Sequence, residues 1–401
     1  MNIVWIFIDS VRRYYSSDDR SRLEIMDKFK QKSIEFTEVV TSAPSTVMSI
    51  SAMMTGQHSF ILGANYNDFR FDRKLYPSLT SILNQEGWQC YAALMHPDIR
   101  EKLTCLNIYP RHKWPRKFSH GNWWTNNDIL KFIKYALRNE SNGLKPENKF
   151  WFIDYNCRED PKISNKVENT INLFYENGYT HSNTIFILCS DHGYPDPSRG
   201  ITPELLKRKK MTHDIFMTDD NIMIPFFMSL PGIKNRQFKE QISTINIFPT
   251  LLDYLNINLP NSQLNYSDSL LPYLNQSKIS YNKLARCDAR FLGQSNRICC
   301  VRSKDYKLIY NYDEKKYIYY YINGLDEKQI DISKINKDLT KNFKNHKEYL
   351  INTDLMALEI FIQKYKKKIK EYLKTYGIKK IIKIIIISNS LESFNNAIKM
   401  L

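Results

Sequence analysis

Six stretches of the chain are nearly all apolar and of strand length: residues 2–8, 34–40, 88–94, 149–154, 184–190 and 222–229. Between them apolar residues recur at helical spacing, which predicts helices over 22–32, 46–54, 77–86, 127–138, 164–177 and 247–255. The third of these opens at Pro77 and stops at Gly87, the residue types that favour a helix start and a helix end. A strand that is apolar at every position has no wet face. Alternation of such strands with helices therefore predicts an α/β fold, a mainly parallel central sheet sandwiched by helices.

After about residue 280 the texture changes. RICCVRS, YKLIYNY and KKYIYYYI read as short strands of an antiparallel sheet. From about 335 the chain is rich in Lys and Asn with helical periodicity, and it runs into GIKKIIKIIIISNS. That run is too short and too often interrupted by lysine to span a bilayer. It reads as a packed terminal strand or helix, with a basic amphipathic segment touching a membrane surface or a partner as the alternative. The expected division is 1–278 for the large α/β domain, 279–335 for a small C-terminal α+β subdomain, and 336–401 for a Lys-rich helical tail.

Composition narrows the classes. The 401 residues are 42% hydrophobic, enough for a large core, and carry a net charge of +16. Such a balance attracts anions, but lysine is spread along the whole chain and no recognition motif accompanies it, so nucleic acid is not the expected partner. The seven cysteines (90, 105, 157, 189, 287, 299 and 300) are odd in number, lack zinc-ligand spacing, and partly lie in apolar runs. A reducing compartment fits them. There is no basic n-region with a cleavage site and no apolar run of membrane-spanning length, so the expectation is a cytoplasmic protein. The sequence does not indicate an oligomeric state.

Two aspartates bring in chemistry. Asp9 closes NIVWIFID, and Asp191 closes TIFILCSD and is followed by His192 and Gly193. Residues at the C-terminal ends of parallel strands face the crevice where open α/β sheets bind ligands. Two carboxylates and an imidazole there make a site for a divalent cation, which points to an enzyme acting on an oxyanion. Between them, SAPSTVMSISAMMTG (42–56) follows a strand and opens a helix. A hydroxyl at a helix N-terminus gains from the positive dipole end and the free N–H groups, although Ser and Thr also occur there simply as caps.

These residues carry a family resemblance. NIVWIFIDSVR, APSTVMSISAMMTG, YPSLTSILNQEGW, TIFILCSDHG, HDIFMTDDNIMIPFFMSLPG, INIFPTLLDYLNI and VRSKDYKLIYNY resemble, in order, segments of the sulfatase / alkaline phosphatase superfamily. The resemblance covers about residues 1–330. It implies one divalent metal (Mn, Mg, Ca or Zn) held by Asp9, Asp191 and His192, with Thr46 completing the shell. Two registers compete for the nucleophile. Ser42-Ala43-Pro44-Ser45 imitates the sulfatase motif whose Cys or Ser becomes formylglycine, but Thr46 then stands where that motif has Arg. Counting back from Thr55-Gly56 by the family spacing gives Thr46 instead. Threonine cannot become formylglycine but can attack phosphorus directly.

The resemblance further implies Arg12 as a phosphate or nucleophile contact, and His213 and His96 as substrate-facing or proton-transferring groups. Asp154 closes its strand without the histidines a second metal would need, so one metal site is expected. Asp219 and Asp220 read as solvated or capping carboxylates. The basic run Arg199, Lys207, Arg208, Lys209 and Lys210 reads as a surface loop near the crevice. The resulting expectation is a metal-dependent hydrolase or transferase of small-molecule or glycan phosphate esters, for instance a sugar or surface-glycan precursor. The alternatives are a sulfuric ester hydrolase that uses Ser42, and an inactive protein that binds an anionic polymer.

Overall fold

A computed structural model describes residues 1–13, 23–62, 76–95, 124–140, 148–156, 162–195, 213–258, 267–275, 281, 283–289, 297–323, 326–331, 333 and 339–357. His96, the basic run 199–210 and the terminal run after 357 lie outside these residues.

A seven-stranded sheet forms the centre. Its strands are β1 (Asn2–Asp9), β2 (Ile34–Val40), β3 (Gln89–Ala93), β4 (Lys149–Asn156), β5 (Thr184–Cys189), β6 (Phe226–Ser229) and β7 (Gln237–Ser243), in the order β3-β4-β1-β5-β6-β2-β7. All are mutually parallel except β6, which runs antiparallel to both β5 and β2. The sheet is thus mainly parallel, as the apolar runs require. Two of its features escape the apolar pattern. One is the reversed β6. The other is the edge strand β7, whose QFKEQIS alternates because one of its faces is wet.

Strand periodicity sorts β1 between two helical layers. Ile3, Trp5 and Phe7 pack on the side of α2 (Thr46–Thr55), α4 (Leu79–Gln85) and α8 (Ile247–Tyr254). Val4, Ile6 and Ile8 pack on the side of α1 (Glu24–Lys30), α5 (Asn126–Glu140) and α6 (Ile163–Glu176). In β5 the odd positions Ile185, Ile187 and Cys189 share the first side. The alternation of side chains along a strand then carries Asp9 and Asp191 to the face that bears α2. Since β1 and β5 are paired neighbours, the two carboxylates come side by side.

Helix α2 is buried at every position after its first, Thr46. It ends at Gly56, whose φ of 65° lies in the left-handed region. A Cβ on Gly56 would sit 2.7 Å from Phe248, so glycine is needed there both for φ and for room. Three further helices are short: α3 (Ser59–Leu62), α7 (Asp219–Ile222) and α9 (Leu271–Asn275).

A second sheet has five antiparallel strands: β8 (Ala285–Asp288), β9 (Ile298–Arg302), β10 (Tyr306–Asn311), β11 (Lys316–Asn323) and β12 (Asp326–Ile330), in the order β12-β11-β10-β9-β8. A helix over 339–357 packs on it, with Phe343 against Tyr317 and Tyr319, and Leu350 against Cys299 and Val301. Among the described residues no helix is long and apolar enough to cross a membrane.

Candidate active site

The ends of β1 and β5 are tied together by hydroxyls. Ser190 Oγ donates to Ile8 O (2.8 Å) and accepts from Val11 N (3.0 Å). Ser10 turns sharply after Asp9, with a φ of 65° that is rare for a residue bearing a side chain. This turn aims Ser10 N at Asp191 Oδ1, 3.1 Å away, and lets Ser10 Oγ donate to Asp9 Oδ1. Asp191 Oδ1 also accepts from His192 N at 2.9 Å. The Asp191 carbonyl accepts from Thr41 Oγ1 (2.6 Å) and Ser49 Oγ (2.7 Å). Thr41, Ser49 and Ser190 are fully buried, and the sequence reading passed over all three. Their only trace in the sequence is a hydroxyl interrupting apolar surroundings.

Asp9, Asp191 and His192 each present a ligand atom within 4.8 Å of the others. His192 Nε2 lies 3.4 Å from Asp191 Oδ2 and 3.7 Å from Asp9 Oδ1. On the far side of the ring, His192 Nδ1 stands 2.7 Å from Gly193 O. A carbonyl only accepts, so Nδ1 carries a proton, and in the neutral ring Nε2 turns a lone pair toward the carboxylates. Asp191 Oδ2 is buried and has no hydrogen-bond partner among the described residues. An electron-rich oxygen left bare beside a lone-pair nitrogen and a second carboxylate is costly unless a cation lies among them. The donor set therefore fits a divalent cation bound by hard oxygens and one imidazole.

Thr46 is the first residue of α2, and its Oγ1 is 3.1 Å from His192 Nε2. The fold thus gathers Thr46, Asp9, Asp191 and His192 into one cluster. His213 begins a 3-10 turn (His213–Ile215), and its ring centroid is 4.9 Å from that of His192, with Tyr194 5.2 Å beyond. Arg12 is half-buried three residues past Asp9. Its neighbour Arg13 pairs with Glu38 at 2.7 Å and is structural. Asp154 is buried in β4, in register with Phe7, and its Oδ2 accepts from Met95 N at 3.4 Å.

Ser42 is differently placed. It is fully buried, and each of its polar groups is engaged. Its N donates to Thr244 Oγ1 (3.1 Å), its Oγ accepts from Ser59 N (3.1 Å), and its carbonyl accepts from Ser59 Oγ (3.0 Å) and Asp288 N (3.0 Å).

The reading of Asp219 and Asp220 as solvated or capping carboxylates needs correction, because both are buried. Asp219 receives Arg302 Nη2 at 2.8 Å and Lys307 Nζ at 2.9 Å, and Lys307 also reaches Glu327. Burial opposes ionisation of Asp219, but the Lys307 and Arg302 charges outweigh it and hold the carboxyl well below its ordinary range. This ion cluster fixes the 219–222 turn. Gly193 N in turn bonds to Asn221 O (2.9 Å) and Tyr194 N to Asp220 O (3.0 Å). A Cβ on Gly193 would lie 2.0 Å from Asp220 O, so only glycine lets the chain pass there.

No family model matches the chain. Over 139 residues, 34% of this chain, it is 32% identical to arylsulfatase K of Canis lupus familiaris, and over 138 residues it is 30% identical to arylsulfatase K of Homo sapiens. The matched stretch spans 23% of the length of each relative. Among solved structures, a putative sulfatase from Bacteroides thetaiotaomicron superposes with a TM-score of 0.67 at 14% identity, covering 89% of this chain and 92% of that one. A protein in complex with its substrate D-glucosamine-2-N,6-O-disulfate gives 0.66 at 13% identity, covering 89% of this chain and 98% of that one. A phosphonate monoester hydrolase of Agrobacterium radiobacter gives 0.63 at 12% identity, covering 89% and 96%. The chain thus has the fold of these solved sulfatase and phosphonate monoester hydrolase structures, and over about a third of its length it is similar in sequence to arylsulfatase K.

Proposed function

We propose that the protein is a metal-dependent hydrolase of monoesters of tetrahedral oxyanions, with Thr46 as nucleophile. The observation that carries this reading is Thr46 Oγ1 at a helix N-terminus, 3.1 Å from His192 Nε2 and beside two carboxylates. Asp9, Asp191 and His192 would hold the divalent cation, which when bound supplies positive charge to the substrate oxyanion and acidifies a nearby hydroxyl. Thr46 Oγ attacks sulfur or phosphorus and the alcohol leaves, giving a threonyl ester that water cleaves. The N–H groups opening α2 donate to the anion. His213, with its ring against that of His192, carries a proton to the departing alcohol oxygen.

Two lines of argument divide over the central atom. The names of the relatives are those of sulfatases and phosphonate monoester hydrolases, which weigh toward sulfate esters rather than the phosphate esters a threonine favours. They are also names of hydrolases, so water rather than another alcohol is the acceptor proposed. Sulfate monoesters are the first substrate class and sulfated sugars the first substrates to try, given the disulfated glucosamine bound by one structural relative. Phosphate and phosphonate monoesters come second, supported by Thr46.

The test is a panel of sulfate, phosphate and phosphonate monoesters with Mn²⁺, Mg²⁺, Ca²⁺ and Zn²⁺. Thr46→Ala is expected to lower kcat by about 10³-fold or more, with Ser42→Ala retaining the chemistry. Full activity in Thr46→Ala would remove threonine as the nucleophile. A mass shift on Ser42 in the purified protein, together with loss of activity in folded Ser42→Ala, would favour a converted serine instead.

A further inference from the structure

Ser42 stands four residues before Thr46, and Pro44 between them fixes one backbone angle. Thr41 Oγ1 holds Ala43 O (3.0 Å) and Ser49 N holds Ser45 O (2.9 Å), so a displacement at Ser42 reaches the start of α2 through a tethered segment. Two of the groups that hold Ser42 lead back to one guanidinium. Asp288 N donates to Ser42 O, and the Asp288 carboxylate accepts from Arg286 Nε (2.8 Å) and Nη2 (3.0 Å). Ser59 clamps Ser42 from the other side, and the Arg286 guanidinium lies over the ring of the next residue, Phe60, 3.8 Å from its centroid.

Arg286 is fully buried, and its far side is gripped by the helix over 339–357. Nη1 donates to Leu350 O (3.2 Å) and to Thr353 Oγ1, and Nη2 donates to Asp354 Oδ1 (2.9 Å) and Tyr312 Oη (3.1 Å). Asp354 also meets Arg297 at 3.3 Å, and Arg297 lies 3.7 Å over Tyr312. Two cations and two carboxylates thus neutralise one another, with Arg286, Arg297 and Asp288 buried and Asp354 partly exposed at the edge. Apolar side chains of the same volume would be at least as stable there. What the charged groups add is a fixed direction for each contact.

We infer that the helix over 339–357 is a positioning element for the nucleophile: Asp354, acting through Arg286 and Asp288, sets where Ser42 and hence Thr46 stand. The inference rests on the reading of Thr46 as the attacking group. Asp354 touches neither substrate nor metal site and is a positioning residue.

Asp354→Asn keeps the shape and removes the charge. Leu350→Ala removes apolar packing from the same helix and leaves the ion cluster whole. Both lower Tm. Only Asp354→Asn is expected to lower kcat at 25 °C, by about tenfold or more, with KM and Mn²⁺ affinity within about twofold of wild type and with Asp354→Glu restoring most of the rate. A second readout needs no turnover: amide hydrogen exchange over residues 42–50 rises in Asp354→Asn and stays at the wild-type level in Leu350→Ala. If wild type turns over no ester, the proposed function fails while the exchange measurement still decides the positioning role. Should Asp354→Asn not fold, Tyr312→Phe removes one hydrogen bond to Asp354 and serves in its place. Equal exchange over 42–50 in the charge variant and Leu350→Ala, or equal kcat in both, overturns the inference.

Discussion

At the scale of single residues, the site depends on a few backbone positions as much as on its ligands. Ser10 takes a left-handed φ so that its N–H can reach Asp191 Oδ1. Gly193 passes so close to Asp220 O that no side chain fits. Gly193→Ala must push the 219–222 turn away or move His192, which the next peptide link carries. The expected cost is about 1–3 kcal/mol from overpacking, together with weakened Mn²⁺ binding. Urea unfolding and calorimetric titration of the metal measure the two effects separately. Asp9, Asp191 and His192 were legible in sequence because each follows a strand-length apolar run. Ser10 and Gly193 were not legible as site-forming residues, since nothing local reveals which backbone approaches another.

Among the elements, α2 and the turn at 219–222 are what the two sheets hold in place. Arg302 and Lys307 lie on β9 and β10 of the second sheet, yet their charges end on Asp219 beside the site. Asp219→Ala would leave two buried cations with Glu327 and Glu38 as their remaining acidic neighbours. Loss of one partner from a buried ion pair costs about 3–5 kcal/mol, so a Tm drop of many degrees is expected in a calorimetric scan. The element boundaries around α2 were readable because Thr46 opens a run of buried residues that Gly56 closes. The reversed β6 was not readable, since an apolar strand looks the same in either direction. The ion cluster of the second sheet was not readable either, because the sequence does not say which lysine meets which aspartate.

For the whole molecule, the buried histidines set a pH dependence. His58 is buried beside the Arg286 cluster; burial first, and the Arg286 charge second, lower its pKa from 6.5 to about 3. His346 is likewise lowered by burial. A histidine whose folded pKa lies below its unfolded value binds more protons when unfolded, so it favours the native state fully only above the unfolded value. Stability is then expected to fall as pH drops from about 6.5 toward 3, with His58 contributing up to about 1.4 kcal/mol per pH unit. The carboxylates Asp219 and Asp354, both held low by arginine or lysine, withdraw their share only at more acidic pH. Urea midpoints of wild type and His58→Gln between pH 4 and 7.5 check this, the variant giving the flatter curve. By itself the sequence determined the apolar strands of the main sheet, the flanking helices, the two aspartates that end adjacent strands, and the threonine that opens α2. Those follow from local periodicity and from residue types that each position selects. The tertiary structure alone decided that Ser42 is buried and engaged while Thr46 stands beside Asp9, Asp191 and His192, and that Asp219 is an anchor rather than a wet carboxylate. It also decided that the helix over 339–357 reaches Arg286. These depend on contacts between residues far apart in the chain, which only packing can choose.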